Sequence, residues 1–246
     1  MTGGPVTGGP VTGGLIAVLD YGIGNLRSAE KALQHLGAPA RLVADPDEVA
    51  GAAGVVLPGV GAFGPCAAAL EASGLAGPAR AAVEAGVPFL GICVGFQLLY
   101  DGSDESPGAR GLGVFAGTVR RLPDGVKRPQ MQWNRLDRTG ARSGLLAGLG
   151  PEPWMYFVHS YAADVGPETV ATCDYGGPVA AAAERGNVWG VQFHPEKSGA
   201  DGLALLGNFV ARCATGTVPS DGPVSRATGG GRVSRATGGG RVAASR

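Results

Sequence analysis

Long apolar runs are missing from this 246-residue chain. The two best candidates are Leu15–Leu19 and Val87–Tyr100, the second broken by Pro88, Gly91, Gly95 and Gln97. Neither approaches the ~20 residues that span a bilayer, so no membrane segment is expected. The opening stretch, MTGGPVTGGPVTGG, has no basic cluster and no apolar core, and does not read as a secretory signal. Cysteine is sparse. Four residues (66, 93, 173 and 213) lie far apart with no Cys-x-x-Cys pair, which argues against a zinc site. No metal and no cofactor is expected, and the thiols are expected free in a reducing cytoplasm. An excess of one charge is also absent, with 20 basic and 20 acidic residues. Five arginines near the C-terminus (226, 232, 235, 241 and 246) hide a mild acidity, because residues 15–214 hold 15 basic and 19 acidic side chains. Holding nucleic acid by phosphate neutralisation needs a basic surface, so nucleic acid is not an expected partner.

Glycine is what the chain has in plenty, 45 residues. Some of it belongs to repeats. GGPVT occurs twice at the start, and VSRATGGGR occurs twice between Val224 and Arg241. Neither repeat has the apolar content to fold, so residues 1–14 and 215–246 are expected to be disordered tails around one domain at 15–214. Within that domain strand and helix signals alternate. Leu15–Leu19, Ala40–Val43, Gly54–Leu57 and Val87–Ile92 read as buried strands. Asn25–Leu36, an Ala-rich stretch from Pro65 to Gly86 broken near Gly74–Pro78, and Gly95–Tyr100 read as helices. The second half changes rhythm. Gly113–Leu122, Gln132–Leu136, Trp154–Tyr161, Val170–Asp174, Val179–Glu184 and Val188–Phe193 read as strands, and Gly202–Cys213 as a closing helix. The expected fold is α/β: an open, mostly parallel central sheet flanked by helices, with antiparallel strands added in the C-terminal half.

Gly91-Ile92-Cys93-Val94-Gly95 is the segment richest in chemistry. An apolar strand runs into a cysteine with a glycine two residues away on either side, and a helix follows. This is the layout of a nucleophile elbow with cysteine in place of serine. The glycines permit a sharp turn, the helix start favours a thiolate, and the Val94 N–H is placed to bind an oxyanion. The plainer alternative is a buried cysteine between strand and helix. A cysteine nucleophile needs a base, and the chain has three histidines, 35, 159 and 194. His35 reads as surface. His194 ends a strand, and Pro195 holds it extended. Glu196, two residues on, would then project to the same side and fix the imidazole, giving a Cys93–His194–Glu196 relay. His159 is the rival base, with no acid nearby in sequence apart from Asp164. The loop Pro58-Gly59-Val60-Gly61 follows a strand and could supply a second oxyanion donor, or be an ordinary turn.

Gly-Ile-Cys-Val-Gly-Phe-Gln-Leu-Leu at 91–99 and Phe-His-Pro-Glu-Lys-Ser at 193–198 resemble the class I (triad) glutamine amidotransferases. Asp20–Leu26, Pro58–Gly61, Tyr156–Tyr161 and Glu196-Lys197-Ser198 are similar to one branch of that family, the glutaminase subunits of imidazole glycerol phosphate synthases. The resemblance covers about residues 15–213. It implies that Cys93 attacks the glutamine carboxamide, His194 relays protons and Glu196 orients it. A γ-glutamyl thioester forms, and water then releases glutamate. Gly59 and Val94 would supply the oxyanion region. Gln97, Glu105, Ser160 and Tyr161 would hold the glutamine. Ammonia would pass to a cyclase subunit with a (β/α)₈ barrel, which makes imidazole glycerol phosphate and AICAR. Asn25, Trp133, Asn134 and Lys197 would face that partner in a heterodimer. Members of the branch are poor glutaminases until the cyclase binds its substrate, and Pro58–Gly61 would be the switch. One stretch departs from the family, which usually reads Pro-His-Met-Gly-Trp-Asn where this chain has Pro129-Gln130-Met131-Gln132-Trp133-Asn134. Other readings stay open: another class I glutaminase such as that of pyridoxal phosphate synthesis, a non-catalytic binding module, or a free-standing cysteine hydrolase.

Overall fold

The structure, a computed structural model, describes residues 14–24 and 26–215. The repeats read as tails fall almost wholly outside the described residues, and so does Asn25.

The early apolar runs form the parallel half of one sheet. β1 (Ile16–Leu19) is buried throughout and lies between β2 (Ala40–Val43) and β3 (Gly54–Gly59). β4 (Phe89–Cys93) pairs with β3, again parallel. Strands covered on both faces need no polar alternation, which is why they read as continuous runs. The crossovers are α1 (Leu26–His35), α2 (Pro46–Val49), α3 (Phe63–Ala72) and α4 (Ala76–Glu84). α1 buries Leu26, Ala29 and Leu33 at helical spacing. The short α2 was not anticipated; Asp45 caps it through the Asp47 N–H and Pro46 begins it. α5 (Val94–Gln97) is a single turn directly after Cys93.

The remaining strands build on this base. β5 (Gly102–Ser103), β6 (Thr118–Arg121) and β10 (Tyr161–Ala163) make a small sheet, and β7 (Gln130–Arg135) pairs with β9 (Trp154–His159). β8 (Asp137–Arg138), β11 (Thr169–Asp174), β12 (Pro178–Arg185) and β13 (Val188–Val191) join the main sheet, whose order is β2-β1-β3-β4-β13-β12-β11-β8. β13 pairs with β4 in parallel, and beyond it the pairings are antiparallel. The expected architecture is therefore the one the chain adopts. A one-turn 3₁₀ helix at Pro195–Lys197 leads into α6 (Gly199–Ala214). No helix among the described residues is long and apolar enough to cross a membrane.

Three expected elements differ. The helix at Gly95–Tyr100 stops after one turn, and the strand at Gly113–Leu122 forms only at Thr118–Arg121. Both have one cause. The carbonyls of Leu98, Leu99 and Tyr100 accept hydrogen bonds from the N–H groups of Leu112, Val114, Phe115 and Gly113, so two irregular segments satisfy each other. The strand expected at Trp154–Tyr161 is interrupted at Ser160, whose carbonyl accepts from the Leu122 N–H. β9 and β10 consequently serve different sheets.

β3, β4 and β13 are adjacent and parallel, so the segments leaving their C-terminal ends emerge along one edge. Those segments are Pro58–Gly61, Cys93–Gly95 and Gln192–Glu196. Ligands of open parallel sheets bind at that edge.

Candidate active site

Cys93 ends β4 with φ 55° and ψ −114°, and is the sole non-glycine residue at positive φ among those described. Such a conformation is costly for an L-residue and persists where surrounding packing enforces it. Here the packing is backbone on backbone. A Cβ on Gly95 would overlap the carbonyl oxygen of Leu57, and one on Gly91 would lie 2.8 Å from the Gly95 carbonyl oxygen. Gly95→Ala is therefore expected to destabilise the domain by about 3 kcal/mol, since backbone cannot yield as a side chain can. Thermal unfolding should show a Tm lowered by about 6–12 °C; an unchanged Tm would refute the close approach.

His194 is buried, and its Nδ1 lies 2.9 Å from Glu196 Oε1. An ionised carboxylate only accepts, so Nδ1 carries the proton and Nε2 is left for Cys93. Nε2 has no hydrogen-bond partner among the described residues. The backbone is fixed as well. The His194 N–H donates to the Tyr156 carbonyl (2.9 Å), and the Ser198 hydroxyl donates to the His194 carbonyl (2.6 Å). The expected contact with Glu196 forms, but not by the expected route. The chain does not run extended through Glu196; it turns at Pro195 into the 3₁₀ helix, and the turn brings the carboxylate back to the ring. Burial disfavours charge on His194, but its interactions with Cys93 and Glu196 outweigh that and raise its pKa to about 9.

His159 has the opposite character. Burial lowers its pKa to about 4, only partly offset by the Tyr161 carbonyl, 2.9 Å from Nδ1. It lines the pocket as a neutral ring, with Nδ1 donating, and no carboxylate is bonded to it. His35 is exposed at the end of α1.

A pocket of about 280 Å³ opens over Cys93, and its walls include Val60, Gly61, Gln97, Glu105, Ser160 and Tyr161. All four residues expected to hold substrate meet there. Gln97 spends its amide N–H groups on the Tyr161 carbonyl (2.8 Å) and Gln192 Oε1 (3.0 Å), which directs its own oxygen elsewhere. Glu105 Oε2 accepts from the Phe63 N–H (2.8 Å), and Ser106 Oγ accepts from the Gly64 N–H (3.1 Å). Together they cap α3, whose own N-cap residue Ala62 supplies no side-chain bond. Val94 starts α5 and lines the pocket. Gly59 lies in the ladder opposite Cys93, and it is the next residues, Val60 and Gly61, that reach the pocket. One turn of helix is too short for a macrodipole, so any help to the sulfur comes from individual N–H groups.

Sequence reasoning missed Gln192. It is fully buried at the end of β13, and its Nε2 lies 3.8 Å from Cys93 Sγ. Its signal was a single polar residue closing an apolar strand. Of the residues expected to face a partner, Trp133 and Lys197 are exposed. The Asn134 side chain is tied to the Asp174 carbonyl at 2.9 Å. Two more large apolar side chains, Met131 and Trp154, are over half exposed on β7 and β9. Gln132 is exposed. Gln130 is buried, 3.8 Å from Cys173 Sγ.

A model of the class-I glutamine amidotransferase family matches residues 17–213, and the chain belongs to that family. Its curated relatives include imidazole glycerol phosphate synthase subunit HisH of Deinococcus radiodurans. That protein is 49% identical over 198 residues, covering 79% of this chain and 92% of the relative. The HisH subunit of Methanothermobacter thermautotrophicus is 48% identical over 197 residues, covering 80% and 98%. A solved glutamine amidotransferase superposes with a TM-score of 0.65 at 23% identity, over 82% of this chain and all of that one. PurLQS from Thermotoga maritima gives 0.64 at 21%, over 83% and 98%. Those two likenesses are of fold.

Proposed function

We propose that this chain is the glutaminase subunit of an imidazole glycerol phosphate synthase in histidine biosynthesis, with Cys93, His194 and Glu196 as its triad. The observation that carries the chemistry is the conformation of Cys93: a positive φ, enforced by neighbouring backbone, at the sheet edge where His194 and Glu196 converge. The near-50% identity to HisH subunits supports the particular synthase.

In this reading glutamine enters the pocket with its amino group toward Glu105 and its carboxamide over Cys93. The sulfur attacks the carboxamide carbon, and the oxyanion faces the Val94 N–H and the Pro58–Gly61 loop. Protonated His194 delivers its Nε2 proton to the departing nitrogen, so ammonia leaves and a thioester remains. His194, now neutral, takes a proton from water as water attacks, and glutamate is released. Ammonia then passes to a separate (β/α)₈-barrel cyclase. We assign the interface with that partner to the β7–β9 ribbon, where Met131, Trp133 and Trp154 are exposed large apolar side chains, and to the exposed Lys197; Asn134 and Asn25 are assigned to it from the family resemblance alone. We assign the activity to residues 15–214 as one domain, with no catalytic part for the repeats. The four unbridged, buried cysteines suit a cytoplasmic enzyme.

Glutamine hydrolysis by the purified chain, alone and with a cyclase subunit carrying its nucleotide substrate, tests this. Slow turnover alone and at least about tenfold activation by the loaded cyclase is the expected result. Fast turnover that ignores the cyclase would move the chain to another glutaminase or hydrolase branch.

A further inference from the structure

The loop from Pro58 to Gly61 is fastened at alternate peptides. Tyr21, just beyond β1, donates its hydroxyl to the Pro58 carbonyl at 2.6 Å. Cys66, in the first turns of α3, donates its thiol to the Val60 carbonyl at 3.3 Å. Both side chains are buried, Tyr21 at 4% exposure and Cys66 at 0%. Burial pushes both pKa values up, so both groups keep the proton they donate. Further along, Glu105 and Ser106 hold the N–H groups of Phe63 and Gly64. Between the first two fastenings lies the peptide joining Gly59 to Val60. Among the described residues none accepts a hydrogen bond from the Val60 N–H. Gly59 has no side chain to hinder rotation, and none would fit: a Cβ there would lie 2.6 Å from the Gly95 nitrogen and 3.0 Å from the Tyr21 hydroxyl.

We propose that Tyr21 and Cys66 are positioning residues for the oxyanion donor. By fixing the Pro58 and Val60 carbonyls they confine loop motion to the Gly59–Val60 peptide, so that the Val60 N–H is aimed at one place in the pocket. A peptide plane between two fixed neighbours turns as a crankshaft, with compensating changes at ψ of Gly59 and φ of Val60. Without either fastening the flanking planes turn too, and the donor is spread over many directions. Preorganised donors are the ones that stabilise a developing oxyanion. This rests on the glutaminase reading above and adds to it how the loop is held.

The test uses the complex with the cyclase subunit and its nucleotide substrate. The variants are Tyr21→Phe, Cys66→Ala and Cys66→Ser. Two rates are compared: thioester formation from glutamine in a single turnover, and alkylation of Cys93 by iodoacetamide, which creates no oxyanion. The expected result is acylation slowed about fivefold by Tyr21→Phe and by Cys66→Ala, the worth of one hydrogen bond. KM for glutamine and the alkylation rate should stay unchanged, and Cys66→Ser should restore acylation. Equal losses in acylation and alkylation would mean that the variants merely disturb the fold around Cys93, and would overturn the proposal. So would unchanged acylation. If the parent complex itself fails to turn over glutamine, the glutaminase reading falls, and the role of the two residues with it.

Discussion

Cys93→Ser is expected to lower glutamine-dependent synthesis by the complex by about 10⁴-fold or more while leaving ammonia-dependent synthesis intact. The reason lies in His194 as much as in the sulfur. With its pKa raised to about 9, His194 is protonated at neutral pH. An imidazolium suits a cysteine enzyme, because the thiol can surrender its proton before substrate arrives and the ring then holds it for the leaving group. A serine hydroxyl is far less acidic than a thiol, so it keeps its proton before substrate arrives and is a much weaker nucleophile here. The replacement is nearly isosteric, and the hydrogen-bond contacts of Cys93 Sγ among the described residues are long, 3.9 Å to the Val158 carbonyl and 3.8 Å to Gln192. Stability should therefore hold, and an unchanged Tm would assign the loss to chemistry. In the function proposed, synthesis from added ammonia needs the cyclase but not Cys93. Loss of both activities would contradict a separate ammonia source.

How much of this was legible in the sequence depends on how local each feature is. The elbow was legible because its constraint is local: glycines at 91 and 95 bracket Cys93, and each is required by a backbone contact within the same strand–turn–helix unit or the adjacent strand. The His194–Glu196 pair was legible by proximity, although the geometry assumed for it was wrong. An extended chain and a 3₁₀ turn can both bring positions two apart together, and only Pro195 hinted at the turn. The parallel half of the sheet followed from apolar runs without alternation. The irregular stretch at 98–115 did not, because its backbone is satisfied by a partner segment more than ten residues away, and side-chain patterns carry no trace of that. The capping of α3 by Glu105 and Ser106 spans 42 positions, and Gln192 reaches Cys93 across 99. Those links exist only once β3, β4 and β13 stand side by side.

Turnover of glutamine by the loaded complex is expected to fall as pH rises through about 9, about tenfold for each further unit, and His194→Ala is expected to cost as much as Cys93→Ser. In the proposed relay His194 gives a proton to the departing nitrogen, and above pH 9 the ring no longer holds it. Glu196 is one of the groups that raise this pKa, so Glu196→Gln should move the alkaline fall to lower pH. A fall that stays in place would separate Glu196 from the proton relay. Cys93→Ser combined with His194→Ala should lose no more than either alone, since residues acting as one unit are not additive. His159→Ala should be much milder, because a ring with pKa near 4 has no proton to give at neutral pH. If His159→Ala proved the more damaging change, the two histidines would have to exchange roles. Stability gives an independent check, because their shifts have opposite signs. The folded pKa of His194 lies above its unfolded value of about 6.5, so its contribution is full below 6.5 and is lost as pH rises from there through 9. The folded pKa of His159 lies below that value, so its contribution is full above 6.5 and is lost as pH falls from there through 4. Removing His194 should therefore flatten the alkaline side of a plot of Tm against pH, and removing His159 the acid side. A relay that worked through His159 would demand the reverse, because the histidine that delivers the proton must be the one whose surroundings hold it.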